Sequence, residues 1–299
     1  MPAALVTGAS GFVGTHLVRA LEQQGWQVHK VDRHTALDQY ELSRQDVVFH
    51  LAALAHAGAQ NADEAMMMSV NAEQTLRRYE QACRAGVGHF VWLSSIKVLG
   101  DTSARPLTTD DPYAPGDSYA RSKVRGEELL LAAASDTQTA RLPQLSIVRP
   151  PLVYGPGVSA NFLSLWRAAM SPWPLPLGAA KAPRAWLGVD NLVSFLQARV
   201  ATHAEMPATL WHVCDDEQSS VSEWIIHLRA RVNRNANLWP VPVALLKVAA
   251  ALVGKQGLVS RLFDPLPVDD SQSRRLLSWT PPVTQQQQLE KVHTWYQQR

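Results

Sequence analysis

Tyr119 and Lys123 stand four residues apart in the stretch Asp117-Ser118-Tyr119-Ala120-Arg121-Ser122-Lys123. On a helix that spacing puts both side chains on one face, about 5–6 Å apart at Cβ. A free phenol has a pKa of about 10 and is a poor acid–base catalyst at neutral pH. An ammonium held beside it favours the phenolate and moves that pKa toward the working range. The pair is a candidate proton-transfer device, and it draws its meaning from the elements that precede it.

Upstream, Ala3-Ala4-Leu5-Val6-Thr7 reads as a strand ending at Gly8, with further glycines at Gly11 and Gly14. Val13, Leu17, Val18 and Leu21 then recur at helical spacing until Gly25, and a second apolar run ends in Asp32. In this strand–turn–helix–strand–acid order the turn lets backbone approach a pyrophosphate at the helix N-terminus. The acid is placed to accept hydrogen bonds from an adenosine ribose. Gly8, Ser10, Gly11, Phe12, Val13 and Gly14 are the candidate cofactor contacts, with Asp32 as ribose acceptor. Asp32 favours NAD by repelling a 2′-phosphate, whereas Arg33 can accommodate one, so NADP stays open. Only 14 residues separate Val31 from the next strand at 46–51, so the third unit is abbreviated and its adenine contacts are open.

That strand leads into Leu51, Ala52 and Ala53, whose small side chains let a cofactor lie close. His50 reads as a hydrogen-bonded core histidine, His56 as a loop residue, and Met66-Met67-Met68 as filling a helix face. A helix is predicted over 70–86, with Asn71 near its start, and a buried strand over 89–93 ending in Ser94-Ser95.

The chain has 299 residues, 46% hydrophobic and 18% charged, enough for one large domain or two unequal ones. Net charge is +2 with Lys and Arg scattered, so neither nucleic acid nor an anionic membrane is expected as the main partner. Cys83 and Cys214 make no disulfide framework or metal-ligand spacing, and no signal peptide is visible, so a reducing cytoplasm and no metal are expected. The run 243–253 is eleven residues with Lys247 inside it, too short to span a bilayer. It reads as an alanine-rich helix, buried or docked on a surface.

The series Gly8-Ala9-Ser10-Gly11-Phe12-Val13-Gly14, Asp32, His50-Leu51-Ala52-Ala53, Asn71, Ser94-Ser95, Tyr119-x-x-x-Lys123 and Arg149-Pro150-Pro151-Leu152-Val153-Tyr154-Gly155-Pro156-Gly157 resembles the extended short-chain dehydrogenase/reductases of the nucleotide-sugar epimerase/dehydratase group. The resemblance implies an α/β fold: a Rossmann-type doubly wound parallel sheet over 1–150 and a smaller mixed α/β substrate lobe over 151–299. The chain would cross back to the first domain around 185–215. It implies Ser95 as the serine that hydrogen-bonds the reacting sugar oxygen, Tyr119 as acid–base, and Lys123 as holder of the nicotinamide ribose. Leu51, Ala52, Ala53, Asn71 and Pro150 would complete the cofactor contacts, and Ser95, Ile96, Tyr119, Asn161, Phe162 and Arg184 those to a UDP-sugar. Homodimerisation through helices at 71–86 and 119–134 is implied in the same way.

The two residues after the serine discriminate among relatives. The dehydratases resemble one another in placing an acid there for elimination; this chain has Ile96-Lys97. An aliphatic side chain cannot abstract a proton, and an ammonium has the wrong polarity for it. Hydride and proton transfer at one carbon is the chemistry that survives. Leu99, where many relatives carry tyrosine, reads as a packing change. Asp190 reads as a helix N-cap, and Arg274 and Arg275 as either phosphate contacts or a solvated helix face. The later segments look most like enzymes of surface-polysaccharide pathways that reduce the 4-keto group of a UDP-linked 6-deoxy-N-acetylhexosulose. A 4-epimerase with retained NAD shares the same residues. A non-catalytic dinucleotide-binding scaffold is the rival from another class, disfavoured by the intact serine, tyrosine and lysine.

Overall fold

The computed structural model describes residues 2–32, 34–35, 37–40, 42–43, 46–54, 63–135, 142–201, 210–232, 234–252 and 256–298. Arg33 and His56 lie outside these residues, and the side chain of Asn161 lies outside the described atoms.

Strands β1 (Ala3–Thr7), β2 (Gln27–Val31), β3 (Val47–His50), β4 (His89–Leu93) and β5 (Gln144–Arg149) are short; β2 is mixed in polarity and mostly not buried, while the other four are largely buried runs. Two further strands, β6 (Leu152–Tyr154) and β7 (Trp186–Gly188), pair with each other, and β8 (Leu210–His212) returns to the edge of the main sheet. The main order is β2-β1-β3-β4-β5-β8 with every pair parallel. Alternation along the strands sends successive side chains to opposite faces. Ala4, Val6, Val47, Phe49, Val91 and Val148 meet α1 (Phe12–Gln23) and, later in the chain, α6 (Val189–Ala201). Leu5, Val48, Phe90, Trp92 and Ile147 sit in a second cluster with Tyr79, Ala82 and Leu130. These come from α3 (Gln74–Ala85) and α4 (Ser118–Ala134). Both faces of the inner strands are covered, which is why they read as largely apolar runs, whereas β2 at the edge is mixed.

The predicted helix at 70–86 is instead α2 (Glu64–Met68), a π turn over Ser69–Glu73 and then α3. Between Val31 and β3 only a 3-10 turn, Leu37–Gln39, occurs among the described residues. The strand order reverses between β1 and β3, so a crevice opens at the carboxyl ends of those two strands.

The second half of the chain builds a lobe from α5 (Ala160–Met170), α7 (Val221–Arg231), α8 (Val243–Leu252), α9 (Gln256–Phe263) and, beyond α10 (Ser271–Leu277), which lies against β8 at the main sheet, α11 (Gln285–Gln297). Its core centres on buried Trp224, whose ring lies 4.7 Å from Tyr154, 5.3 Å from Phe162 and 4.7 Å from Trp186. Leu99 is buried among Val98, Leu107 and Leu266, a packing position. Asp190 is not the cap of α6. It lies in the first turn, 2.6 Å from Lys291, while Asp215 from beyond β8 accepts from the Gly188 amide at 3.0 Å and from Asn191 at 2.7 Å.

A buried ion pair joins these layers. Arg149, last in β5, donates to Glu127 of α4 through Nε at 3.0 Å and Nη2 at 2.5 Å. Ser94, just past β4, donates to the same carboxylate at 2.5 Å, and Tyr113 does so at 2.9 Å. Removing one partner leaves the other charge buried without its counterpart. Glu127→Ala is expected to cost about 3–5 kcal/mol in urea denaturation. Replacing both, Glu127→Leu with Arg149→Met, is expected to recover most of the loss.

Candidate active site

Asp117 starts α4: its Oδ1 accepts from the Ala120 amide at 2.8 Å, so the helix begins one residue before Tyr119. Ser95 follows β4 in extended conformation and accepts from the Lys97 amide at 3.3 Å. The next residue is anchored to the neighbouring strand end, Ile96 donating to the Pro150 carbonyl at 3.0 Å. This brings Ser95 into hydrogen bonding with the Tyr119 phenol. Lys123, fully buried one turn on, donates from Nζ to the Leu93 carbonyl at 2.9 Å and lies 4.6 Å from the Trp92 ring centroid and 5.9 Å from that of Tyr119. The three residues expected to act together do converge.

Their electrostatics differ from the sequence expectation. Burial pushes Tyr119 up to about 12, with the Asp117 charge adding to the rise and the Ser95 hydrogen bond opposing it. Burial likewise pushes Lys123 down to about 7, with Glu127 opposing. Desolvation and the Asp117 charge outweigh the Ser95 hydrogen bond, so the phenol is held as a proton donor at neutral pH. Asp117 is itself ion-paired with Lys97, which also lies 3.4 Å from Asp101.

A cleft of about 690 Å³ opens at the β1–β3 switch point, lined by Thr7, Gly8, Ser10, Asp32, His50, Ala52, Gln74 and Arg78 among others. Gly8 has φ +68°, and a Cβ there would meet the Ala52 amide at 2.8 Å; one on Gly14 would meet the Gly8 carbonyl at 2.1 Å. Only glycine lets the turn fold back this tightly. No side chain caps the start of α1 at Gly11, so its amides face the turn. Asp32 accepts from the His34 and Thr35 amides at 2.7 and 2.9 Å, and these bonds hold its carboxyl below the usual carboxylate range. Phe12 and Val13 turn partly into the two cores, away from the turn.

Several expected contacts are not on the cleft surface. Asn71 is fully buried: its amide binds the Leu54 backbone at 2.8 and 3.0 Å and the Ser122 hydroxyl at 3.0 Å, so it positions loop and helix and presents no atom to a cofactor. Ile96 is buried with Val98, Val124 and Ala185, and Phe162 is stacked inside the lobe core, because both sit on apolar faces of their elements. Arg184 donates to the Asp264 carbonyl. Arg274, expected as a phosphate contact or on a solvated face, is paired with Asp270 and Asp216.

Sequence reasoning missed Thr7, Gln74 and Arg78 as cleft residues. Arg78 reaches from α3 to the Asp32 carbonyl at 2.9 Å and to that of Thr35, standing in for the abbreviated third unit. Thr7 binds His50 at 2.7 Å, and His50 binds Thr75 at 3.1 Å, as befits a core histidine whose burial pushes its pKa down to about 3.

Residues 4–210 match the profile of the NAD dependent epimerase/dehydratase family. The chain belongs to that family. Its glycine cradle, uncapped helix start and cleft acid fit the dinucleotide on which the family depends: the turn 8–14 suits a pyrophosphate and Asp32 a ribose. The chain is 33% identical over 306 aligned positions to a UDP-glucose 4-epimerase of Vibrio cholerae, covering 95% of this chain and 92% of the relative. Among solved structures it superposes on a UDP-glucuronic acid 4-epimerase from Bacillus cereus in complex with NAD (TM-score 0.77, 20% identity, 99% of this chain and 97% of that one). It also superposes on RMD from Pseudomonas aeruginosa complexed with NADPH (TM-score 0.78, 22% identity, all of both chains). At those identities the superpositions speak for the family's fold.

Lys123 supplies a test of the electrostatics. Its pKa falls from an ordinary 10.5 to about 7 on folding. Between those values the unfolded chain holds more protons, so this residue's contribution to stability rises with pH and is lost as pH falls through about 7. Across that window the Tm of the wild type is expected to rise relative to that of Lys123→Met; parallel Tm–pH curves would contradict it.

Proposed function

We propose that this chain moves hydride and proton at C4 of a UDP-sugar, with 4-epimerisation as the working mode. The observation that carries the reading is the set of groups around the reacting pair. Ser95 and Tyr119 are hydrogen-bonded beside Lys123, and the positions after the serine hold a buried isoleucine and a lysine tied to Asp117 and Asp101. Neither position after the serine carries a carboxylate for elimination, so the reading keeps the chemistry at one carbon. The Vibrio relative, named as a UDP-glucose 4-epimerase over nearly its whole length, supports the epimerase mode.

The glycine turn and Asp32 would hold NAD, which when bound would supply a reversible hydride acceptor. Tyr119 moves the proton at the C4 oxygen: it donates as the carbonyl is reduced and takes the proton back as the alcohol is oxidised. Ser95 hydrogen-bonds the same oxygen where charge develops. Lys123, buried beside Tyr119 and with its pKa lowered by desolvation, would favour the phenolate when the lysine is protonated. The sugar must present its other face to the nicotinamide between the two half-reactions. Reduction of a 4-keto sugar with exchangeable NADPH uses the same three side chains and is the second reading, favoured by the resemblance of the later segments to 4-ketoreductases.

Denaturing the purified protein and identifying released dinucleotide separates the two. Stoichiometric NAD, with interconversion of UDP-hexoses, is expected for the epimerase; an empty cleft with reversible NADPH binding would overturn it in favour of the reductase. Tyr119→Phe is expected to fold normally and lose on the order of 10²–10⁴-fold in kcat. Unchanged turnover in that variant would remove the tyrosine from the chemistry altogether.

A further inference from the structure

The end of α8 is unusual for a protein surface. Leu245, Val248 and Leu252 fall on one stripe of the helix and are 62%, 61% and 84% exposed. The opposite side, through Val243, Leu246 and Ala250, packs into the lobe core. Immediately before the helix, Trp239 is 58% exposed, and in the adjoining loop Trp173 is 73% exposed. The two loops are stitched together: the Trp239 amide donates to the Leu175 carbonyl at 2.9 Å, and the buried Arg229 guanidinium donates to the Trp173 carbonyl at 2.7 Å and to that of Ala236 at 2.6 Å. Large apolar side chains held this far into solvent on an ordered element call for a partner.

Charge identifies the partner. From 224 to 263 the sequence carries Arg229, Arg231, Arg234, Lys247, Lys255 and Arg261 and not one Asp or Glu. A chain of net charge +2 is therefore net acidic outside this stretch. Cations are scattered through the whole sequence, whereas acids avoid this part of it. Among the described side chains Arg234 and Lys247 are exposed, Arg234 donating to the Met170 carbonyl and Lys247 lying 3.7 Å from Asp264, the acid that follows the stretch. A second copy of this chain would bring like charge against like charge across a symmetric contact. A bilayer bearing anionic headgroups offers the opposite sign together with an apolar interior for leucine and valine and an interfacial zone for tryptophan. At ten residues α8 is about 15 Å long, half of what a span needs, so it can lie on a membrane and not cross it.

We propose that α8, with Trp173, Trp239 and the acid-free stretch around it, docks this protein on an anionic membrane surface. The proposal stands independently of the sugar chemistry, because the docking face shares no residue with Ser95, Tyr119, Lys123 or the glycine turn.

Cosedimentation of the full chain tests it, with vesicles of phosphatidylcholine containing about 30% phosphatidylglycerol against pure phosphatidylcholine. Binding to the anionic vesicles is expected, lost when salt rises from about 0.1 to 1 M and the screening length shortens from about 10 to 3 Å. The triple variant Leu245→Glu, Val248→Glu, Leu252→Glu should bind on the order of tenfold less or weaker still, with Tm and dinucleotide binding unchanged since these side chains are exposed. Tryptophan emission should shift to the blue on adding anionic vesicles, and Trp173→Phe with Trp239→Phe should remove the shift. No binding at low salt, or equal and salt-insensitive binding to both vesicle types, overturns the proposal. A wild-type dimer in light scattering that the triple variant dissociates, without vesicle binding, overturns it in favour of a self-contact.

Discussion

Tyr119, Lys123 and Glu127 follow one another at four-residue intervals along α4, and the last of them is locked to Arg149 in a buried ion pair. The carboxylate also receives the hydroxyl of Ser94, the neighbour of Ser95. One desolvated charge therefore fixes the rotation of the helix that carries the tyrosine and lysine, the end of the strand that carries the serine, and the end of β5. Because both charges are out of water, neither can be given up singly. The same dry environment governs the reacting groups: burial raises the phenol's pKa and lowers the ammonium's, and the reactive pair is held in its uncharged direction.

The dinucleotide side of the molecule rests on close approach. Gly8 and Gly14 allow the first turn to pack against Ala52 and against itself, and Thr7, His50 and Thr75 form a buried polar chain behind it. Asn71 belongs to this supporting layer, tying the loop after β3 to Ser122 on α4. The cleft and the reacting pair thus share one scaffold. Arg78 compensates for the shortened third unit by crossing from α3 to the loop after β2.

Charge is unevenly partitioned along the chain. Residues 224–263, which carry most of α7 and all of α8 and α9, hold cations and no acid, and every Asp and Glu lies before or after them. A balanced total conceals an uneven distribution, and the exposed stripe of α8 lies within the acid-free stretch.

Short-range rules written in the chain dictated the α/β class, the glycine turn with its acid, and the pairing of Tyr119 with Lys123, whereas Ser95 joined them only through the family resemblance. Those rules are strand alternation, helical period, and the left-handed φ that glycine permits at Gly8. Contacts between distant segments followed from packing alone. Asp215, not Asp190, serves the start of α6 because β8 carries it back to the sheet. Asn71, Ile96 and Phe162 proved to be interior supports because side-chain orientation depends on which face each element buries. The direction of the Tyr119 and Lys123 shifts was likewise invisible in the spacing. It is set by desolvation, a property of everything packed around the pair.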